Sequence, residues 1–241
     1  MGNNNNQISK AETKRISRRD FLKFTKNAAI GIGAVSVLPN LIWVGDGLAA
    51  LPASEGYLLV DTKKCQGCLS CMLACSLVNE GVESTSLSRI QVIQNSFEKF
   101  PGDLTIEQCR QCVNPACVEV CPVDALQPDP KYGYVRRVDK KKCIGCGACM
   151  EACPFTPSRA YLAPDTAFDG KEKSQKCDLC ATAPYHWDPV GGGPKGKQAC
   201  VEVCPLGAIK FTKEIPAQDG DKGYKVNLRE SNWRELGYPD D

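Results

Sequence analysis

Sixteen cysteines in four groups of four constrain this 241-residue chain more than any other feature. The groups are Cys65, Cys68, Cys71 and Cys75; Cys109, Cys112, Cys117 and Cys121; Cys143, Cys146, Cys149 and Cys153; and Cys177, Cys180, Cys200 and Cys204. Thiols three positions apart on a turning loop can converge on one polynuclear centre, and Gly67, Gly145 and Gly147 let such a loop turn tightly. In groups one and three the fourth cysteine lies one helical turn beyond the third, which carries its thiol away from the other three. Pro122, Pro154 and Pro205 follow the last cysteine of groups two, three and four and disfavour further helix. Aromatic residues make up 7% of the chain, and 21 Gly with 16 Pro imply much coil. An ordinary apolar core would be thin, so the cysteines are the candidate staple.

The spacing C-x2-C-x2-C-x3-C of groups one and three is that of bacterial ferredoxins, whose fourth cysteine ligates the neighbouring cluster. The chain also repeats itself. Val60–Cys75 mirrors Val138–Cys153, and Ala116–Pro122 recurs letter for letter as Ala199–Pro205. Disulfides and structural zinc also use paired cysteines. Neither calls for three closely spaced cysteines and a distant fourth, four times over. The single histidine, His186, lies in the Gly/Pro-rich stretch between Cys180 and Cys200 and is expected to be solvated; no histidine replaces a cysteine, which excludes Rieske-type ligation. That stretch, with Gly191-Gly192-Gly193-Pro194, either touches a partner or crosses the surface.

Ahead of the first group, Ser17-Arg18-Arg19-Asp20-Phe21-Leu22-Lys23 resembles a twin-arginine export signal. A weakly apolar stretch from Ala28 to Trp43, interrupted by Gly31, Gly33 and Pro39, suits a signal better than a membrane-spanning helix. The small residues Gly47 to Ala50 offer a cleavage region without a clean Ala-x-Ala, and an uncleaved signal anchor is the alternative. The route fits the cysteines, because export after folding lets metal occupy the thiolates before they meet an oxidant. Residues 1–53 carry seven cations against three carboxylates, a net +4, which leaves −2 for the rest of a chain whose total is +2. No basic surplus remains for nucleic acid.

From about Tyr57 to Phe211 the four groups resemble the iron–sulfur subunit of the dimethyl sulfoxide reductase and formate dehydrogenase type. They are also similar to the small iron–sulfur subunits of tungsten aldehyde-oxidoreductase-type enzymes. The resemblance implies four 4Fe-4S clusters, with groups paired one to four and two to three. Carried over, Cys65, Cys68, Cys71 and Cys204 share one cluster, and Cys75, Cys177, Cys180 and Cys200 a second. Cys109, Cys112, Cys117 and Cys153 share a third, and Cys121, Cys143, Cys146 and Cys149 a fourth. The expected fold class is α+β: two ferredoxin-like two-cluster modules with crossed cysteine ligation, rich in coil. The outer module comprises residues 54–106 with 165–215, the inner one 107–164; residues 1–53 are signal and linker and 216–241 a tail.

Strands are expected at Tyr57–Val60, at 134–138 and at 208–211, with an edge strand at Ile90–Gln94, and short helical turns from Cys71 to Cys75 and Cys149 to Cys153. Lysines at 63–64 and 140–142 precede cluster loops and either offset cluster charge or face solvent.

No Walker loop, dinucleotide fingerprint or nucleophile–base pair is present, so the chain is expected to relay electrons and not to catalyse on its own. The implied partners are a catalytic subunit carrying a molybdenum or tungsten pterin, and a quinone-reactive membrane subunit or soluble carrier. The implied location is periplasmic, or the outer face of the cytoplasmic membrane, with no membrane anchor left after signal cleavage. Two alternatives stay open: an electron adaptor of a hydrogenase or multihaem nitrite reductase, and a structural metal-binding protein without redox traffic.

Overall fold

A computed structural model describes residues 51–100, 102–235 and 237, all within one compact unit. The export motif around Arg18 and Arg19 and the apolar stretch after it lie outside the described residues.

Four antiparallel two-stranded sheets frame the cysteine loops. Strand β1 (Tyr57–Val60) pairs with the last strand, β8 (Ile209–Thr212), so the segment leading into group one is tied to the segment leaving group four. Strands β2 (Ile90–Gln94) and β3 (Leu104–Gln108) form a hairpin between groups one and two. Strands β4 (Leu126–Asp129) and β5 (Val135–Val138) join groups two and three, and β6 (Ala160–Asp165) with β7 (Lys171–Lys176) joins groups three and four. The expected strands exist within a residue of their anticipated bounds. Ile90–Gln94 has a partner of its own, β3, which weak alternation at 104–108 had concealed. A two-stranded sheet is marginal alone, so each hairpin depends on what packs against it.

The helices follow the prolines. Helix α1 spans Ser70–Glu80, well past Cys75, because Ser76 stands where the other groups carry proline. It buries Cys71, Met72, Cys75, Val78 and Asn79, and ends at Gly81 (φ 73°), whose amide donates to the Leu77 carbonyl at 2.9 Å. Helices α2 (Ala116–Glu119), α3 (Ala148–Glu151) and α4 (Ala199–Glu202) are single turns, each followed within a few residues by a Cys-Pro. The identical heptapeptides fold identically: Val120 N donates to Ala116 O and Val203 N to Ala199 O, both at 3.1 Å. A last helix, α5 (Asn232–Glu235), lies in the tail.

The main core joins aliphatic and cysteine side chains, among them Leu58, Ile90, Ile106, Cys75, Cys109 and Cys177. The tail packs on its own domain. Val226 N donates to Val60 O at 2.9 Å, Tyr224 is fully buried, and Lys64 Nζ donates to Leu228 O at 3.0 Å. Asp61 anchors the arrangement: Oδ1 accepts from Lys63 N and Oδ2 from Leu228 N, with Arg229 Nε at 3.2 Å. Among the described residues no helix is long and apolar enough to cross a membrane.

The stretch from Ala181 to Gln198 folds back on group four. Gly193 N donates to Leu179 O at 2.7 Å, and a Cβ on Gly192 would meet the Cys180 carbonyl at 2.4 Å. His186 stacks on Trp187 at 4.4 Å. Its Nδ1 accepts from Asp188 N at 3.1 Å, which leaves Nε2–H to donate to Lys197 O at 3.1 Å.

Two glycines with similar backbone angles give a test. Gly145 (φ +72°) would place a Cβ 2.5 Å from the Glu172 carbonyl, whereas nothing lies within 4 Å of one at Gly170 (φ +72°). Gly170→Ala is expected to cost about 1–2 kcal/mol through backbone conformation alone. Gly145→Ala adds a backbone collision and is expected to cost more. Thermal bleaching of visible absorbance in the two variants measures the difference.

Candidate functional site

One backbone turn recurs in all four cysteine groups. The residue just before the second cysteine adopts left-handed geometry in each: Gly67 (φ 69°), Gln111 (φ 50°), Gly145 (φ 72°) and Leu179 (φ 59°). The turn aims an amide back at the first thiol. Gly67 N donates to Cys65 Sγ at 3.4 Å and Gln111 N to Cys109 Sγ at 3.5 Å. Glycine adopts this geometry freely; Gln111 and Leu179 are held there by complete or near-complete burial. Gln111 is fixed further by its own side chain, whose Nε2 donates to Cys177 O at 2.8 Å and whose Oε1 accepts from Arg136 N at 2.8 Å.

In groups one, three and four the last cysteine accepts an amide from farther along the chain. Cys75 Sγ accepts from Arg89 N at 3.3 Å, Cys153 Sγ from Arg159 N at 3.3 Å, and Cys204 Sγ from Ala208 N at 3.2 Å. Group three also leans on β7: Cys143 Sγ accepts from Ser174 N at 3.4 Å, and Cys149 Sγ lies 3.2 Å from Ser174 Oγ.

The thiols gather around shared cavities. One cavity is ringed by Cys65, Cys68, Cys71 and Cys204, with Val92, Ile106 and Leu206 in its wall. Another is ringed by Cys109, Cys112, Cys117 and Cys153, with Cys149 at its margin. A third is ringed by Cys121, Cys143, Cys146 and Cys149, with Leu126 and Leu162 behind them. Cys75, Cys177, Cys180 and Cys200 are all buried; burial, then the neighbouring Cys180, Cys177 and Cys75, hold the Cys200 thiol well above its ordinary range.

Burial likewise pushes Cys71 and Cys112 up to about 12 and Cys117 to about 11. Without metal these thiols are protonated at neutral pH, so loading must displace protons. The donor set fits a cluster. All sixteen cysteines are free of disulfides, amides point at sulfur, and aliphatic walls exclude water. Among the described residues no three His, Cys, Asp or Glu side chains close tightly enough to hold a single metal ion.

The sequence reading missed the buried cations. Arg110, Arg136, Arg159 and Lys176 line the cavity of Cys109, Cys112, Cys117 and Cys153. Arg110 pairs with Asp221 at 2.7 Å, and Arg159 pairs with Glu107. Among the described residues Arg136 has no carboxylate partner; it donates to the carbonyls of Pro52, Tyr134, Cys112 and Val113 at 2.7–3.3 Å. Lys176 Nζ donates to Arg136 O at 2.7 Å. Of the lysines that precede the cluster loops, Lys140 pairs with Asp165 at 2.7 Å and Lys64 donates to the Leu228 carbonyl.

Comparison with known proteins agrees with this chemistry. Profiles described as 4Fe-4S dicluster domains match residues 102–214 and 57–122. A polyferredoxin-like subunit of an aliphatic sulfonate oxidoreductase from Pyrococcus furiosus is 40% identical over 148 residues, 61% of this chain and 70% of that protein. The thiosulfate reductase electron transfer subunit PhsB of Salmonella typhi is 39% identical over 163 residues, 66% of this chain and 76% of PhsB. The hydrogenase-2 operon protein HybA of Escherichia coli O157:H7 is 34% identical over 218 residues, 81% of this chain. The match spans 62% of the length of HybA.

Arg136→Met would strip four carbonyls of their donor. A cost of roughly 1–3 kcal/mol for each carbonyl left unsatisfied is expected, seen as poor accumulation of iron-loaded protein beside wild type.

Proposed function

The chain belongs to the family of iron–sulfur electron-transfer subunits of oxidoreductases built on 4Fe-4S dicluster domains, and we propose that it carries four such clusters as a one-electron wire. The observation that carries this reading is the composition of the rings. Each of the three described cavities combines three cysteines of one group with the last cysteine of another. That arrangement supports the crossed pairing of groups one with four and two with three, and Cys75, Cys177, Cys180 and Cys200 complete the set. A bound cluster supplies single-electron chemistry in which no bond need break. The chain's own residues ligate it, direct amides at sulfur and keep water from the walls; these levers set the potential.

The outer module is residues 54–106 with 165–215, supported by the β1–β8 pairing, and the inner module is 107–164, supported by β4–β5. Ligation between segments distant in sequence closes long loops, which stabilises a chain whose sheets are only two strands wide. Three closely spaced cysteines joined by one from a distant group, in each of three rings, weigh against a structural zinc protein.

The wire serves a catalytic partner, for which a molybdenum or tungsten pterin subunit is the first choice. The thiosulfate reductase and sulfonate oxidoreductase relatives support a partner that works on sulfur compounds. A hydrogenase partner is the second reading, favoured by the longer match to HybA. The far end of the wire meets a quinone-reactive membrane subunit or a soluble carrier. Arg18 and Arg19 direct export after folding, which puts the complex in the periplasm or on the outer face of the membrane.

Three measurements test this reading. Anaerobically purified protein should hold about sixteen irons per chain, with several interacting spins in low-temperature paramagnetic resonance after dithionite reduction. Iron far below that number, or a silent zinc-bound sample, removes the wire. Cys68→Ser and Cys204→Ser should perturb the same resonance signal, with no further signal lost in the double variant; perturbation of two different signals defeats the crossed pairing. Arg18→Lys with Arg19→Lys should trap the protein in the cytoplasm, and undiminished export would contradict the route. Mass spectrometry of the purified complex separates a pterin enzyme from a hydrogenase.

A further inference from the structure

The three described cavities differ in one respect. The wall around Cys65, Cys68, Cys71 and Cys204 has no charged side chain, and neither has the wall around Cys121, Cys143, Cys146 and Cys149. The wall around Cys109, Cys112, Cys117 and Cys153 has four cations. Two of them are compensated, since Arg110 and Arg159 share Glu107 and Asp221. The other two have no such partner: Arg136 donates to backbone carbonyls, and Lys176 to Arg136 O and to the thiol of Cys109. Lys176 is 4% exposed and Arg136 1%. No carboxylate among the described residues forms an ion pair with either. Beside the fourth set of cysteines the nearest buried arginine, Arg89, is compensated by Glu80 at 3.4 Å and Asp178 at 3.2 Å.

A buried cation without a counterion costs several kcal/mol. Two of them side by side in one wall need negative charge close at hand, and a thiolate-ligated cluster is the group that can supply it. We propose that Lys176 and Arg136 make the site of Cys109, Cys112, Cys117 and Cys153 the most easily reduced station of the wire, with Lys176 as its tuning residue. The proposal rests on the four-cluster reading above. Reduction of that site by one electron, taken from an adjoining cluster, adds one negative charge and breaks no bond. Fixed positive charge in a dry wall favours the more negative state, because Coulomb interaction there is little screened. Lys176 holds its place through the bond to Arg136 O and through β7, whose next residue is the ligand Cys177. It therefore stands between this site and the set that includes Cys177. An electron drawn to the charged wall sits inside the wire and not at its end.

Redox potentiometry with paramagnetic resonance tests this on the full iron-loaded chain. In wild type, Cys112→Ser should alter the signal with the highest midpoint. Lys176→Met, close in length and apolar, should lower that midpoint by at least a tenfold change in the reduction equilibrium, about 59 mV for one electron. Lys176→Gln, which keeps a donor for Arg136 O, should do the same, and Lys176→Arg should restore most of it. A structural role predicts the reverse pattern: Lys176→Gln normal, with Lys176→Met losing iron. An unmoved highest midpoint in Lys176→Gln at full iron content overturns the proposal, as does a Cys112→Ser effect confined to a lower signal. Either outcome leaves sixteen irons and several spins in wild type, so the wire would stand while the tuning failed.

Discussion

Sulfur atoms in this protein are held by backbone geometry before any metal is considered. The residue before each second cysteine is left-handed, whether Gly67, Gln111, Gly145 or Leu179, and at Gly67, Gln111 and Leu179 it turns an amide onto the first thiol. The turns fix the spacing of the thiols, and the thiols form much of the core. Cys71, Cys75, Cys109, Cys177 and Cys200 pack with Leu58, Ile90 and Ile106 in one cluster. Sheets of two strands cannot hold such a core alone. The hairpins, single-turn helices and tail are arranged to present cysteines to one another.

Much of this was legible in the residues themselves. Cysteine spacing identified the groups, and proline marked where three of the four helical segments stop. The longer α1 follows from the same rule, because Ser76 cannot end a helix as Pro122, Pro154 and Pro205 do. Strands at Tyr57–Val60 and Ile90–Gln94 declared themselves by their apolar pattern. Strand β7 did not: Lys171–Lys176 is a run of charged and polar residues, four of them buried. Its pattern reads as a solvated loop, and its burial comes from polar contacts with group three and Arg136.

The cations around Cys109, Cys112, Cys117 and Cys153 stayed hidden for a related reason. Arg110 meets Asp221 across more than a hundred residues, and Arg159 meets Glu107 across more than fifty. No periodicity links such partners. The lysine runs beside the cysteines are the conspicuous charge in the sequence, yet Lys140 meets a carboxylate and Lys64 a carbonyl. Charge clusters in sequence mark solvated faces, whereas Arg110, Arg136 and Arg159 are set apart by no local pattern.

The two copies of Ala-Cys-Val-Glu-Val-Cys-Pro show how separable ligation and environment are in this architecture. Their backbones coincide hydrogen bond for hydrogen bond. Yet Cys117 is half-buried beside Arg136 and Lys176, while Cys200 is fully buried among thiols. A seven-residue cassette that folds by its own local rules can be duplicated into new surroundings without relearning how to grip iron. Selection is then free to adjust the energy of each stepping stone through neighbours that never touch the metal.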